Sequence, residues 1–308
     1  MKMIIGSLYL GDVYESDFNK ITLLTNNGHV ITRTGFYEEI TLETFEPFSE
    51  HLAKITQLTV GYTHLSNLNF LIHLQMLKKV DIVTSLVKDI SGLKALPNIQ
   101  ELCLERPTYS LNVLGELQTL ESIFLGGWGA GAKSIFNLNH LAKISINKFG
   151  GVNLHNISHW QLLREAWFDA GKLRTLDGIP KGIEQLRLTR LRNLQSLEAL
   201  SECVHLEDLR LESCKRILSL EGIEECYQLR ILSIGKGKTL GSLSPLQNLK
   251  KLEYVLLGDG TQVNVEDGSL EALYHLPNLK RLIISRRTGI EKDKILKMAP
   301  ECQVILTK

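Results

Sequence analysis

"LEDLRLESC", Leu206 to Cys214, places three leucines at spacings of three and two and then turns polar. Strand alternation sends Leu209 and Leu211 to one side and Asp208, Arg210 and Glu212 to the other. The hexad L-x-x-L-x-L, with Ile, Val, Ala or Phe standing in for leucine, recurs along the chain. It begins at Ile55 (ITQLTV), Leu77, Ile99, Leu120, Leu141, Leu163, Ile183, Leu206, Leu229, Leu252 and Leu279 (LKRLII). Starts lie about 20 to 23 residues apart before a longer last step, a period that marks stacked repeats.

Ahead of the hexads a second rule holds. Apolar residues fall at every third position, as in Leu243, Leu246, Leu249, Leu252 and in Leu270, Leu273, Leu276, Leu279. A spacing of three suits tight turns of near-3₁₀ type rather than a long amphipathic helix. Each unit is then a short strand followed by a compact segment. Neither half can bury its apolar side alone, so neighbours must stack, strand beside strand at about 4.8 Å.

"LVKDISGLKALPNIQELCL" (Leu86–Leu104) and "LGSLSPLQNLKKLEYVLL" (Leu240–Leu257) resemble the short leucine-rich repeats of bacterial internalins and of protein-phosphatase regulators, over residues 50 to 290. The resemblance implies an α/β solenoid: a curved right-handed array with a parallel sheet on its concave face and short 3₁₀ or helical segments on its convex face. It also implies that a protein partner binds the concave face. The column where such repeats keep a buried asparagine holds none here. It includes Pro107, Trp128, Phe149, Gly171, Leu191, Cys214 and Gly237, so irregular turns are expected.

An array needs ends that hide its apolar cross-section. Residues 1–50 fall outside the repeat and form the expected β-rich N-terminal cap, with "ITLLTNNGHVIT" as a hairpin turning at Asn27-Gly28. Repeats are assigned to 51–285. Residues 286–308 are the expected C-terminal cap, a helix closing near Pro300 and a strand from Val304 to Leu306.

A formal charge of +1, with 44% hydrophobic and 22% charged residues, fits a large core and gives no bias toward polyanions. No apolar run approaches the roughly 18 residues of a membrane helix. "MKMIIGSLYLGD" meets Asp12 without a small-residue cleavage pattern, so no signal peptide is expected. Cys103, Cys203, Cys214, Cys226 and Cys302 are odd in number and contain no C-x-x-C pair. That argues against a disulfide framework or a zinc site and for a reducing cytoplasm, here expected to be bacterial.

Three motifs come close to known chemistry. "FLGGWGAGAKSIF" (Phe124–Phe136) spaces Gly126 and Gly131 as a phosphate-binding loop would, but Ala132 displaces Lys133 by one position. The repeat register accounts for the same stretch as a turn. "HNISH" (His155–His159) has paired histidines but Asn156 where a zinc protease needs its glutamate. Cys203 and Cys226 occupy one column of adjacent units, a column elsewhere filled by leucine, and are expected to be neighbouring buried thiols. No catalytic activity, cofactor or metal is expected.

What remains is the face offered by the alternate strand residues. Its middle column contains Phe124, Trp167, Arg187 and Arg210, with Glu165, Asp169, Asp208 and Glu212 beside them and Trp128 and Arg190 in the adjoining turns. Tryptophan, phenylalanine and arginine dominate interface energetics, so these ten residues are the candidate protein-binding site. Interleaved acids disfavour nucleic acid, and nothing supports membrane attachment. The expected function is a non-catalytic protein-binding module, specifically an immunity or inhibitor protein. A scaffold using its convex face and edges is the alternative.

Overall fold

The threefold period is built as runs of i→i−3 hydrogen bonds. Leu71 N–H donates to Leu68 O, Leu74 to Leu71 and Leu77 to Leu74; the series Leu200–Cys203–Leu206 and Leu246–Leu249–Leu252 repeat it. Three residues per turn stack every third side chain on one line, so one stripe faces inward. In Leu243, Leu246, Leu249 and Leu252 that stripe is fully buried. A polar side chain starts the segment at the same place in seven repeats. Asn67, Asp89, Ser110, Asn153, Ser196, Ser219 and Ser242 each accept the backbone N–H two residues on, the geometry of Asx and Ser turns.

The computed structural model describes residues 2–5, 20–24, 30–34, 55–60, 67–83, 87–258, 260–264 and 269–307. The chain divides into two compact units, residues 1–141 and 142–308. In the first, β1 (Lys2–Ile5) pairs in parallel with β4 (Gln57–Val60) and antiparallel with β2 (Lys20–Leu24), which pairs antiparallel with β3 (Val30–Thr34). Leu24 stands opposite Val30; the Asn27-Gly28 turn lies outside the described residues. Parallel pairing continues from β4 through β5 (Lys79–Ile82) and β6 (Glu101–Leu104) to β7 (Ser122–Leu125).

The second unit is a parallel sheet of β8 (Lys143–Phe149), β9 (Glu165–Gly171), β10 (Gln185–Thr189), β11 (Asp208–Glu212) and β12 (Ile231–Gly235), continued by β14 (Tyr254–Gly258), β16 (Arg281–Ser285) and β17 (Gln303–Thr307). Two short strands, β13 (Thr239–Leu240) and β15 (Gln262–Val263), pair separately. Helix α1 (Lys292–Met298) precedes β17, as the sequence predicts for the C-terminal segment. Each unit is a leucine-rich repeat array of parallel strands and 3₁₀ segments. Among the described residues no helix is long and apolar enough to cross a membrane.

The core lies between strands and 3₁₀ segments. Leu186, Leu188, Leu209 and Leu211 are at most 2% exposed, and Phe149 packs on Phe168 with ring centroids 5.2 Å apart. Each such side chain contributes roughly 1.5–3 kcal/mol through burial, so a charge at Leu188 would undo its repeat.

The turns after the strands depart from the expectation of irregularity. Lys148, Ala170, Arg190, Ser213 and Lys236 occupy one column in five successive repeats, and all have left-handed backbone, φ between 51° and 59°. At Arg190, Ser213 and Lys236 that conformation follows the strand directly, and at Lys148 and Ala170 it falls on the last residue but one of β8 and β9. Arg190 N–H donates to Glu212 O at 2.7 Å and Ser213 N–H to Gly235 O at 2.9 Å. A main-chain ladder thus connects the repeats where an asparagine ladder is absent. Side chains supplement it. The Cys214 thiol donates to Leu188 O at 3.3 Å, and buried Thr261 accepts from Gly237 N–H while donating to Ile234 O.

Candidate functional site

Parallel pairing without register slip turns alternate strand residues into straight columns. One column of the second unit runs Ser145, Trp167, Arg187, Arg210, Ser233, Leu256, Ile283, Ile305; the next runs Asn147, Asp169, Thr189, Glu212, Gly235, Gly258. Their neighbours Ala166, Phe168, Leu186, Leu188, Leu209 and Leu211 are buried. The face is therefore what remains once the core has taken every second residue.

At its centre Trp167 is 37% exposed, an unusual state for so large an apolar side chain. The Arg187 guanidinium carbon lies 5.0 Å from the centroid of its ring, a cation–π stack. The indole N–H points to Thr189 Oγ1 at 3.4 Å. Among the described residues Arg187 has no carboxylate partner.

The acids around it are all engaged. Arg190, swung back by its left-handed backbone, grips Asp169 with two guanidinium nitrogens. Lys236, in the same column two repeats on, reaches Glu212 at 3.0 Å. Arg210 holds Asp208 of its own strand with bonds of 2.8 to 3.1 Å, and Lys143 reaches Glu165 at 2.6 Å. Hydrogen bonds to Asp169 and Asp208 raise the guanidinium pKa values of Arg190 and Arg210 above their ordinary value. Exposed pairs of this kind contribute about 0–1 kcal/mol each. Their larger effect is to cancel the face's negative charge.

Eight of the ten candidate residues, Glu165, Trp167, Asp169, Arg187, Arg190, Asp208, Arg210 and Glu212, thus share one patch of the second unit. Phe124 and Trp128 belong to the first unit. Half-buried Phe124 extends that unit's middle column beside Cys103, while Trp128 lies beyond β7 with its ring on Phe136 at 5.8 Å, apart from the strand columns. The ten candidate residues do not include the far end of the face. Ile231, Tyr254, Leu256, Ile283 and Ile305 are partly or largely exposed there, beside exposed Arg281. The same column rule, followed from β12 onward, locates them.

The near-miss motifs find structural roles. A Cβ on Gly126 would lie 1.7 Å from Glu105 O, and Gly131, at φ 77°, abuts Asn112, so the glycine loop is set by close backbone approach. Ala132 and Ile135 are buried in the next 3₁₀ segment, as the register predicts. His155 and His159 are exposed, and among the described residues no group of three His, Cys, Asp or Glu is placed to hold a metal. Cys203 and Cys226 are fully buried free thiols whose pKa burial pushes up to about 12, far from a nucleophilic thiolate.

No protein-family model and no curated protein matches the sequence. Solved structures do resemble the fold. An internalin (inlF) from Listeria monocytogenes aligns with a TM-score of 0.57 at 17% identity, over 91% of this chain and 90% of that one. A chain of the Drosophila Toll–Spatzle complex gives 0.62 at 14% identity, and a chain of the mouse RP105/MD-1 complex 0.55 at 18%. These cover 86% and 87% of this chain but only 38% and 52% of theirs. At such identities the likeness is one of fold, the leucine-rich repeat solenoid.

Proposed function

We propose that this chain is a non-catalytic protein-binding module whose partner docks on the open, concave face of its sheet around Trp167 and Arg187. The observation that carries this reading is the exposed tryptophan capped by an arginine that, among the described residues, has no carboxylate partner. Folding gains little from leaving Trp167 uncovered, whereas an interface gains much from covering it. Two of the solved structures with this fold are complexes, Toll with Spatzle and RP105 with MD-1. Five free thiols fit a cytoplasmic setting. Inhibition of a toxin or enzyme by occlusion, as an immunity protein acts, is the specific form proposed.

The test is retention of one protein by the purified chain from a lysate of its source. Loss of that protein with Trp167→Ala and with Arg187→Glu supports the reading; unchanged retention by both overturns it. A second reading, a scaffold working through surfaces outside the strands, is favoured by exposed Leu162, Val204, Leu218 and Tyr227. It expects partners to survive the two face variants and to be lost when those four residues become serine.

A further inference from the structure

Two arginines on the second unit's open face have no carboxylate partner among the described residues; Arg281 borders an apolar patch, and Arg187 stands across β11 from it, against Trp167. Arg187 lies on β10 and Arg281 on β16; neither takes part in an ion pair. The acids of that face, Glu165, Asp169, Asp208 and Glu212, are each neutralised by a lysine or arginine. Within the strand columns, Arg187 and Arg281 are therefore the two charges left without a partner among the described residues. Register puts four strand steps between them, through β11, β12 and β14. At about 4.8 Å a step, with a two-residue offset of about 6.6 Å along the strands, that is roughly 20 Å. Between the two arginines the same columns present first the Asp208–Arg210 pair and Ser233, then Ile231, Tyr254 and Leu256, with Ile283 two residues beyond Arg281 on β16; Tyr254 is 42% exposed.

Resting on the proposed docking face, we infer that the partner presents an apolar side chain flanked by two carboxylates about 20 Å apart. One carboxylate meets Arg187 and the other Arg281, while the apolar side chain covers Tyr254 and Leu256. Arginine suits both positions because its planar fork binds carboxylate with paired hydrogen bonds. An extended segment rises about 3.3 Å per residue, so its two acids stand about six residues apart. The apolar patch between the charges favours a protein over a nucleic acid, whose backbone would meet hydrophobic side chains there.

The probe is a phage-displayed library of random linear peptides about 16 residues long, selected on the immobilised full chain at low salt. Enriched sequences are expected to carry Asp or Glu at about six-residue spacing around Leu, Ile, Phe, Met or Trp. Synthetic versions of these peptides should bind at least tenfold more weakly to Arg187→Gln and to Arg281→Gln, and more weakly as salt rises. Both side chains are exposed, and unchanged circular dichroism with cooperative unfolding near the parent's midpoint verifies the variants' fold. Enriched peptides without an acidic pair, equal binding by both arginine variants, or displacement of the peptides by a single-stranded oligonucleotide overturns the inference. If Trp167→Ala still abolishes binding in that outcome, the docking face survives and only the partner's chemistry is wrong. If Trp167→Ala has no effect either, the docking face falls with it.

Discussion

Replacing Gly126 with alanine tests whether the glycine-rich loop is a packing feature. The new Cβ would stand 1.7 Å from Glu105 O, 2.5 Å from its carbonyl carbon and 2.9 Å from its Cα. All three are main-chain atoms, so no side-chain rotation relieves the overlap. Restoring van der Waals contact means moving two backbones apart by about 1.5 Å or more, at a typical overpacking cost of about 1–3 kcal/mol. That displacement also breaks the 2.7 Å bond from Gly126 N–H to Leu104 O, leaving a carbonyl short of a partner for roughly another 1–2 kcal/mol. The expected loss is therefore about 2–5 kcal/mol. Gly129 is the control. Nothing lies within 4 Å of its virtual Cβ, so Gly129→Ala should stay within about 0.5 kcal/mol of the parent or gain slightly. Equilibrium urea unfolding followed by far-UV circular dichroism compares all three chains. ATP and GTP, added separately, should leave the parent's melting temperature unchanged. Wild-type stability in Gly126→Ala, or equal damage from both substitutions, would refute the packing account; a melting shift with either nucleotide would return the loop to a binding role.

Arg187→Gln should cost at most about 1 kcal/mol, since an exposed cation–π pair is worth roughly 0.5–1 kcal/mol, and should alter Trp167 fluorescence; a loss above about 2 kcal/mol in urea unfolding would make the arginine structural. Thr261→Val removes the hydroxyl joining Gly237 N–H to Ile234 O and should cost about 2–4 kcal/mol, whereas Thr261→Ser should recover most of it, both read from urea midpoints. Burial raises the Cys203 and Cys226 thiol pKa values from 9.0 to about 12, so the unfolded chain releases those protons first as pH rises. Their contribution is complete below about pH 9 and declines toward pH 12. The stability of Cys203→Ala/Cys226→Ala should consequently fall less steeply than the parent's over that window, and parallel curves would contradict the assignment.

The repeating hexad determines the strands of the repeats, their order and their register, because a period-two strand leaves only one way to bury Leu209 and Leu211 while exposing Asp208 and Arg210. The threefold spacing likewise specified 3₁₀ segments, since only three residues per turn align Leu243, Leu246, Leu249 and Leu252. Trp167 and Arg187 were legible as face residues for the same reason. The turns were not. Left-handed backbone at Lys148, Ala170, Arg190, Ser213 and Lys236 has no common residue type to announce it, and at Arg190 and Ser213 the amide bonds to the neighbouring repeat, a partner the local sequence does not name. Charge pairing was equally hidden. Sequence offered Arg187 and Arg210 the same carboxylates, but Arg210 took Asp208, Arg190 turned back to Asp169 and Lys236 claimed Glu212, leaving Arg187 on the tryptophan. Which ions meet depends on side-chain reach between stacked repeats, a distance set only when the array has formed.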